Sequence, residues 1–222
     1  SLGKVEFDFT ANYTRANVKN RPALGDSQSN VGKNLMTLAN TYNQAWLKNY
    51  ETANGEYANW NGLDQYNRNP YWDLYKNQNK SDKDVFRFTA KAIYNIDKNL
   101  KIQGTIGTDI NDMNFQDYIA RTTPGKSAGQ LQESVFKNRT LNAEILALYN
   151  NQFGSFDVNA TLGGNIFRVD NKTTIFTGLG EQMPGVIAIM NYQEQSVQQN
   201  TYKKQINSIY GSASIGYDHT YY

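Results

Sequence analysis

Cysteine is absent from the chain, and histidine occurs once among its 222 residues. The absence of cysteine excludes a disulfide framework, a thiolate nucleophile and a cysteine-based zinc site. A single imidazole excludes the zinc sites that are built from two or three histidines. A serine-type triad would have to use His219, and the position of this residue near the C-terminus favours a solvated or interfacial side chain over a catalyst.

Charge is also scarce. Charged residues make up 19% of the chain, and 22 basic residues against 20 acidic ones leave a formal net charge of +2. A nucleic-acid-binding protein is normally clearly basic, so nucleic acid is not an expected partner. No apolar run approaches the ~18–20 residues of a membrane helix, and no signal peptide opens the chain. Strand-like patterns at both ends indicate an excerpt from a longer protein.

The chain is nevertheless rich in aromatic residues, which make up 13% of it. Its mean hydropathy of −0.70 comes from uncharged polar residues more than from charged ones. A disordered chain would lack the aromatics, and a soluble globular domain would carry more aliphatic residues. Aromatics among uncharged polar residues are typical of large β proteins, including those with a water-filled interior.

Apolar and polar residues alternate with a period of two in several long segments, which predicts strands with one apolar face. In the first segment Phe7 and Phe9 fall on one face and Asp8 on the other. The predicted strands cover about residues 3–14, 84–96, 100–113, 135–150, 156–169 and 205–219. Soluble strands usually have about 5–6 residues, whereas a membrane-spanning strand needs about 9–11.

Short and long connections alternate between these segments. Tight turns are predicted at residues 97–99 and 153–155, and long loops at about 15–83, 114–134 and 170–204. Tyr94, Tyr149, Phe156 and Tyr217 lie near the short-turn ends, as an aromatic girdle would. This is the layout of an outer-membrane barrel. The predicted fold class is therefore all-β: an antiparallel meander of about six long strands, part of a transmembrane β-barrel, with long extracellular loops.

A soluble β-sandwich explains the alternation equally well. It would be a secreted or cell-surface module for glycan binding or adhesion, with its apolar face buried against a second sheet. The two hypotheses differ in what the apolar face contacts. In a barrel, lipid or detergent would contact Phe7, Phe86, Phe88, Ile102, Leu141 and Val158. The opposite face, with Arg87, Lys91, Lys101, Glu144 and Asp157, would line a wet lumen.

Several passages resemble the SusC/RagA family of TonB-dependent outer-membrane transporters of Bacteroidetes. The similar passages are Asn69-Pro70-Tyr71-Trp72 followed by Phe86-Arg87-Phe88, then Leu148-Tyr149-Asn150 with Phe153-Gly154, Leu162-Gly163-Gly164-Asn165, and the stretch 208–217 with Tyr221-Tyr222. Each passage alone is weakly specific, but their order and spacing together are more so. The resemblance covers most of residues 3–222.

The resemblance implies a barrel of about 22 strands around a plug domain in the bacterial outer membrane. It implies import of oligosaccharides or peptides, driven by the TonB complex, with a SusD-like surface lipoprotein as a lid. Residues 1–222 would then be a part of the barrel without the plug, with outer-membrane lipid as a partner and the segment 15–83 as a loop insert. It implies no enzymatic activity, no catalytic residue, no cofactor and no metal.

The predicted loop 15–83 holds the candidate contacts to a ligand or to the lid: Trp46, Trp60, Tyr66, Tyr71 and Trp72. Aromatic faces stack on sugar rings, and neighbouring asparagine and glutamine side chains bond hydroxyl groups. Arginines, which suit anionic ligands, are few and widely spaced here, so the loop favours a neutral oligosaccharide. The alternative is that these aromatics form the loop's own small core or the docking surface of the lid.

Three further patterns carry predictions of local structure. Helical spacing from Met36 to Tyr50 predicts a short amphipathic helix that starts at Ser29 or Asn30. Glycines within strands, at positions 104, 107, 163 and 164, predict bulges or bends. Side chains with oxygen ligands cluster at Asp109, Asn111, Asp112 and Asp117. A calcium site is one interpretation. The spacing is not that of an EF-hand loop, so a solvated strand end is favoured.

Overall fold

The structure, a computed structural model, describes residues 4–39 and 41–217. His219 and the final tyrosines lie outside the described residues. A single antiparallel sheet dominates the described part, with strand order β1-β2-β3-β4-β5-β6. The strands are β1 Val5–Lys19, β2 Gln78–Asn95, β3 Leu100–Ile119, β4 Gln130–Phe153, β5 Phe156–Glu181 and β6 Tyr192–Tyr217. The predicted six-stranded meander is confirmed.

The strands extend further than predicted at the ends that carry the long connections. β6, for example, begins at Tyr192, whereas the alternation indicates a start near residue 205. The added segment, residues 193–204, is almost wholly polar on both faces, so no period-two pattern marks it. It is held by the backbone ladder to β5, which continues without a break from Leu179 opposite Glu194 to Phe156 opposite Tyr217. The long connections shrink to residues 20–77, 120–129 and 182–191.

Both tight turns lie where the sequence predicts them. The carboxylate of Asp97 accepts hydrogen bonds from the backbone N–H groups of Asn99 and Leu100, at 2.7 and 2.9 Å. In the second turn Gly154 has φ +62°, a left-handed conformation that suits glycine. Each turn reverses the chain within a few residues, so β2 and β3 form one hairpin and β4 and β5 another.

One face of the sheet is apolar and uncovered. Residues directly opposite in the ladder share a face, and one such row joins Phe7, Ala92, Gly104, Ile145, Gly164 and Ile209. Ile145 is 60% exposed and Leu162 is 63% exposed, although β4 and β5 each have a strand on both sides. The described residues contain no second sheet that could cover this face, as a sandwich requires.

The predicted aromatic girdle lies on that same apolar face. Tyr94, Tyr149, Phe156 and Tyr217 are all at the short-turn end of the sheet. The rings of Phe156 and Tyr217 are 5.1 Å apart.

The glycines inside the strands do not form bulges, so that part of the prediction is wrong. The ladder pairs every residue in turn, with Gly163 opposite Leu146 and Gly164 opposite Ile145. At Gly163 a β-carbon would lie 2.5 Å from Leu146 Cδ2 and 2.7 Å from Tyr210 Cε2. The glycine is therefore explained by close packing of two large neighbours on the polar face.

Short helices lie in the first long connection: α1 Val31–Met36 and α2 Pro70–Tyr75, with a 3₁₀ turn at Gln44–Lys48 between them. The side chain of Asn30 caps α1 by accepting the N–H of Lys33 at 3.1 Å, as predicted. The continuation of this helix to Tyr50 is wrong, because α1 ends at Met36 and the Thr37 hydroxyl bonds the Lys33 carbonyl. None of the helices in the described residues is long and apolar enough to cross a membrane.

Candidate functional site

The three long connections pack together at one end of the sheet into a single structure, called the cap here: residues 20–77, 120–129 and 182–191. Its core combines aromatic residues of the cap with residues at the ends of the strands. The members are Tyr57, Trp72, Tyr118, Ala120, Leu131 and Tyr192. The first two connections contribute to this core directly, and Ile187 and Ile189 of the third pack against it, so the packing of the three connections is coupled.

Trp72 is the largest side chain in this core and is 1% exposed. Its indole N–H donates to the Thr123 hydroxyl at 2.8 Å, and its ring meets that of Tyr57 edge-on at 5.3 Å. The Tyr57 hydroxyl in turn accepts from the Trp60 indole at 3.1 Å and from the Asn69 backbone N–H at 2.7 Å. Burial raises the pKa of Tyr57, so this phenol stays neutral.

A buried ion pair lies beside this core. Arg68 and Asp73 are 3.2 Å apart, with both side chains almost fully buried, and the Asn77 amide donates to Asp73 at 2.6 Å. Burial raises the pKa of Asp73, and Arg68 acts in the opposite direction. Asp117 on β3 lines the same small cavity; burial raises its pKa too, again opposed by Arg68. Asp73 is thus the ion-pair partner of Arg68, and Asp117 is affected by the charge of the same guanidinium from a greater distance.

A second buried carboxylate, Glu181, ties the other two connections together. It accepts the Tyr118 hydroxyl at 2.8 Å and the backbone N–H groups of Arg121 at 3.1 Å and Gly185 at 2.8 Å. Burial, together with the hydrogen bond to Glu181, raises the pKa of Tyr118 well above its ordinary value. The arrangement satisfies the carboxylate with three donors, so we assign it a structural role.

The five predicted contact residues fall into different environments. Trp46 and Tyr66 are exposed, at 60% and 61%. Trp60 and Tyr71 are half-buried, and Tyr71 stacks on Tyr75 with ring centres 6.2 Å apart. Trp72 is inside the core and is not reachable from solvent in this structure. For Trp72 the geometry matches the alternative of a small core within the loop.

Tyr42 brings two of the predicted residues together. The ring of Tyr42 meets Trp46 edge-on at 5.6 Å and Trp60 edge-on at 5.0 Å. We call Tyr42, Trp46 and Trp60 the aromatic cluster. Tyr42 was predicted only as part of a helix, because its spacing from Trp46 fits a helical face and nothing in the sequence places it between the two tryptophans.

The amides near these aromatics hold the cap in shape. Asn61 donates to the Asn67 carbonyl at 2.7 Å, and Asn67 donates to Asp64 at 3.1 Å. Asn69 is 1% exposed; it caps α2 and donates to the Leu47 carbonyl at 2.9 Å. These side chains were expected to bond hydroxyl groups of a sugar. In the structure they are engaged in the loop's own hydrogen bonds.

The predicted cluster of oxygen ligands on β3 is divided by the sheet. Asp109, Asn111 and Asp117 alternate onto one face and Asp112 onto the other. Asp109 pairs with Arg87 at 3.5 Å, and Asp112 pairs with Arg139 at 2.7 Å. No group of three or more metal-ligating side chains occurs among the residues that the structure describes.

Solved structures with a similar fold include transporter chains. They are the RagAB peptide importer in its closed-closed and open-open states and the RagAB peptide transporter, each with a TM-score of 0.69 and 14% sequence identity over 96% of this chain. The chain spans 24% of the length of each of them. The likeness shows the fold, an antiparallel meander of a kind found in these transporters. No protein-family model and no curated protein sequence matches the chain.

Proposed function

We propose that the chain is part of the wall of a TonB-dependent transporter in the bacterial outer membrane, which imports a nutrient. One observation carries this proposal: the apolar face of the sheet is continuous across all six strands and is uncovered. A soluble protein rarely exposes an apolar surface that runs across a whole sheet. Lipid is the environment in which such a face is stable, and a barrel pairs every strand edge.

The height of the apolar face supports a membrane location. On β5 it runs from Phe156 to Ile166, and the next residue on that face is Arg168. At about 3.3 Å per residue and a tilt of about 40°, this stretch rises about 25 Å. That value equals the usual height of the lipid-facing band of outer-membrane barrels.

The opposite face suits a wet lumen. Lys91 and Glu144 lie in one ladder row with Asp8, and Arg87 pairs with Asp109 at 3.5 Å. Charges at the depth of the membrane are tolerated where they meet water or other protein groups. In this orientation the short turns lie at the periplasmic side, and the cap lies at the cell surface.

The substrate and the partners form the finer part of the proposal. The sequence resemblance supports a SusD-like lipoprotein that closes over the cap, and energy from the TonB complex. The aromatic cluster, in which Trp46 is exposed and Tyr42 and Trp60 are half-buried, supports a neutral oligosaccharide as the substrate. A peptide is the second candidate, favoured by the solved structures of the same fold, which are described as peptide importers.

Lipid contact can be tested by fluorescence quenching. The full-length protein, with a single cysteine carrying a bimane fluorophore, is reconstituted in vesicles of phosphatidylcholine with brominated acyl chains. Ile145→Cys on the apolar face should be strongly quenched, and Asn142→Cys on the opposite face of the same strand should be quenched far less. Equal quenching at the two positions would contradict the proposed orientation, and no quenching at either would refute the membrane location.

A further inference from the structure

We propose that a cluster of basic side chains at the upper edge of the apolar face binds the phosphate group of an anionic lipid headgroup in the outer leaflet. The cluster, called the basic patch, consists of Lys137 and Arg139 on β4, Arg168 and Lys172 on β5, and Lys203 on β6. The inference rests on the proposed function, because it requires the apolar face to lie in lipid.

Two lysines of the patch face each other directly. Lys137 and Lys172 are opposite partners in the β4–β5 ladder, and both are exposed on the same face as Ile145. Directly opposite side chains have Cβ atoms about 4.5–5.5 Å apart, and like charges in this arrangement are destabilising. On the other side of Lys137 its ladder partner is Asp112, which is held by Arg139, and among the described residues neither ammonium lies within 4.0 Å of a carboxylate. An anion seated between them would convert this repulsion into two attractive contacts.

The other cations of the patch are only partly compensated. Arg139 is bidentate with Asp112, at 2.7 and 2.9 Å, and Lys203 pairs with Asp170 at 3.4 Å. Arg168 bonds only a neutral partner, the Gln205 side-chain oxygen, at 2.8 and 3.2 Å. Two carboxylates thus oppose five basic groups, and the patch keeps a net positive charge. Guanidinium and ammonium groups are the usual protein partners of phosphate.

The depth of the patch selects a lipid headgroup as the source of the phosphate. Arg139 follows Leu141 on the outward face of β4, and Arg168 follows Ile166 on β5, so the charges begin where the apolar residues end. On β4, Lys137 lies twelve residues from Tyr149 in the direction of the cap, which is about 30 Å in a tilted strand. This is the level of the headgroups. The acyl chains of a lipid would lie on the apolar face and keep its phosphate group at this level. Free phosphate in solution has no such anchor.

The test measures local lipid enrichment next to the patch. The full-length protein carries bimane at Leu141→Cys and is reconstituted in unbrominated phosphatidylcholine with a small, fixed mole fraction of brominated lipid. The brominated lipid is either phosphatidylcholine or phosphatidic acid, whose headgroup is a phosphomonoester. Phosphatidic acid should quench more strongly, by an enrichment of about fivefold for each lysine that it contacts. Lys137→Gln with Lys172→Gln should remove that enrichment.

The controls separate this inference from the proposed function. Lys91→Gln with Lys101→Gln makes the same change of charge on the lumenal face and should leave the enrichment unchanged. Equal quenching by the two brominated lipids in the unmodified protein, or an enrichment that survives in Lys137→Gln/Lys172→Gln, would overturn the inference alone. Enrichment abolished by millimolar inorganic phosphate would overturn the assignment to lipid. Absence of quenching by brominated phosphatidylcholine itself would instead overturn the proposed function.

Discussion

The Trp72 indole donates a hydrogen bond to the Thr123 hydroxyl at 2.8 Å, deep within the cap. The same hydroxyl donates its own hydrogen to the Ala120 carbonyl at 2.6 Å, which leaves a lone pair free to accept from the indole. Trp72 and Thr123 are 1% and 0% exposed. Through this contact the first long connection is fixed to the turn between β3 and β4, and the geometry of the cap depends on it.

Trp72→Ala should therefore loosen the cap. Removing a fully buried tryptophan costs about 3–5 kcal/mol, and the substitution also leaves the Thr123 lone pair without its donor. Amide hydrogen exchange over residues 41–77 should become faster. Exchange in the part of the sheet between the level of Leu141 and the short turns should stay unchanged. Trp46→Ala is the matched control, because an exposed substitution is expected to change stability by no more than about 0.5 kcal/mol. Equal acceleration in both variants would contradict the buried role of Trp72.

Gly163→Ala should destabilise the sheet. Its β-carbon would come within 2.5 Å of Leu146 and 2.7 Å of Tyr210, and the hydroxyl of Tyr210 is held by a hydrogen bond to Glu144. Overpacking of this kind costs about 1–3 kcal/mol. Gly104→Ala in β3 is the control, since no heavy atom lies within 4 Å of the position of its β-carbon. Denaturation in detergent, followed by circular dichroism, should show a lower midpoint for Gly163→Ala only. A lower midpoint for both would contradict the packing explanation, because replacing glycine by alanine restricts the unfolded chain and by itself favours the folded state.

The meander was predictable from the sequence because the barrel-like strands alternate so regularly. The pattern around Phe7 or Ile145 reports the face of each residue directly, and the two tight turns carry Asp97 and Gly154. The polar extensions of the strands were not predictable, since residues 193–204 have no apolar face and are held by pairing with β5. In the cap, Trp46 is exposed and Trp72 is buried. This difference depends on partners that are distant in the sequence, and two tryptophans cannot be distinguished by their side-chain chemistry.

Stability of the cap should depend on the charge of Asp117. Burial raises the pKa of this carboxyl, with Arg68 acting against the shift, so the folded cap favours the protonated form. The stabilisation is complete below the ordinary pKa near 3.8 and is lost as the pH rises through the raised value. Asp117→Asn should therefore slow hydrogen exchange in the cap at pH 7, and the difference from the unmodified protein should vanish at about pH 3.

Asp73 offers a contrast to this behaviour. Its pKa is also raised by burial, but it is the 3.2 Å ion-pair partner of Arg68. Asp73→Asn should destabilise the cap at pH 7, because it leaves a buried guanidinium without its paired charge. If Asp73→Asn and Asp117→Asn both stabilised the cap, Arg68 would not need a carboxylate partner. If both destabilised it, Asp117 would also pair with Arg68.

The aromatic cluster should decide the substrate class. If the cap binds a neutral oligosaccharide, Trp46→Ala and Trp60→Ala should each weaken its binding to the proposed complex of transporter and lipoprotein lid by about twofold to tenfold. The reason is that each indole offers an apolar face on which a sugar ring can stack. Met36→Ala is the control, since Met36 is an 88% exposed apolar side chain of the same connection without an aromatic face. The measurement is calorimetric titration with a panel of neutral glycans and peptides. Binding of peptides alone would contradict the oligosaccharide assignment, and so would glycan affinities that Trp46→Ala and Trp60→Ala leave unchanged. Neither outcome would contradict the proposal that the sheet is part of a barrel wall in the membrane.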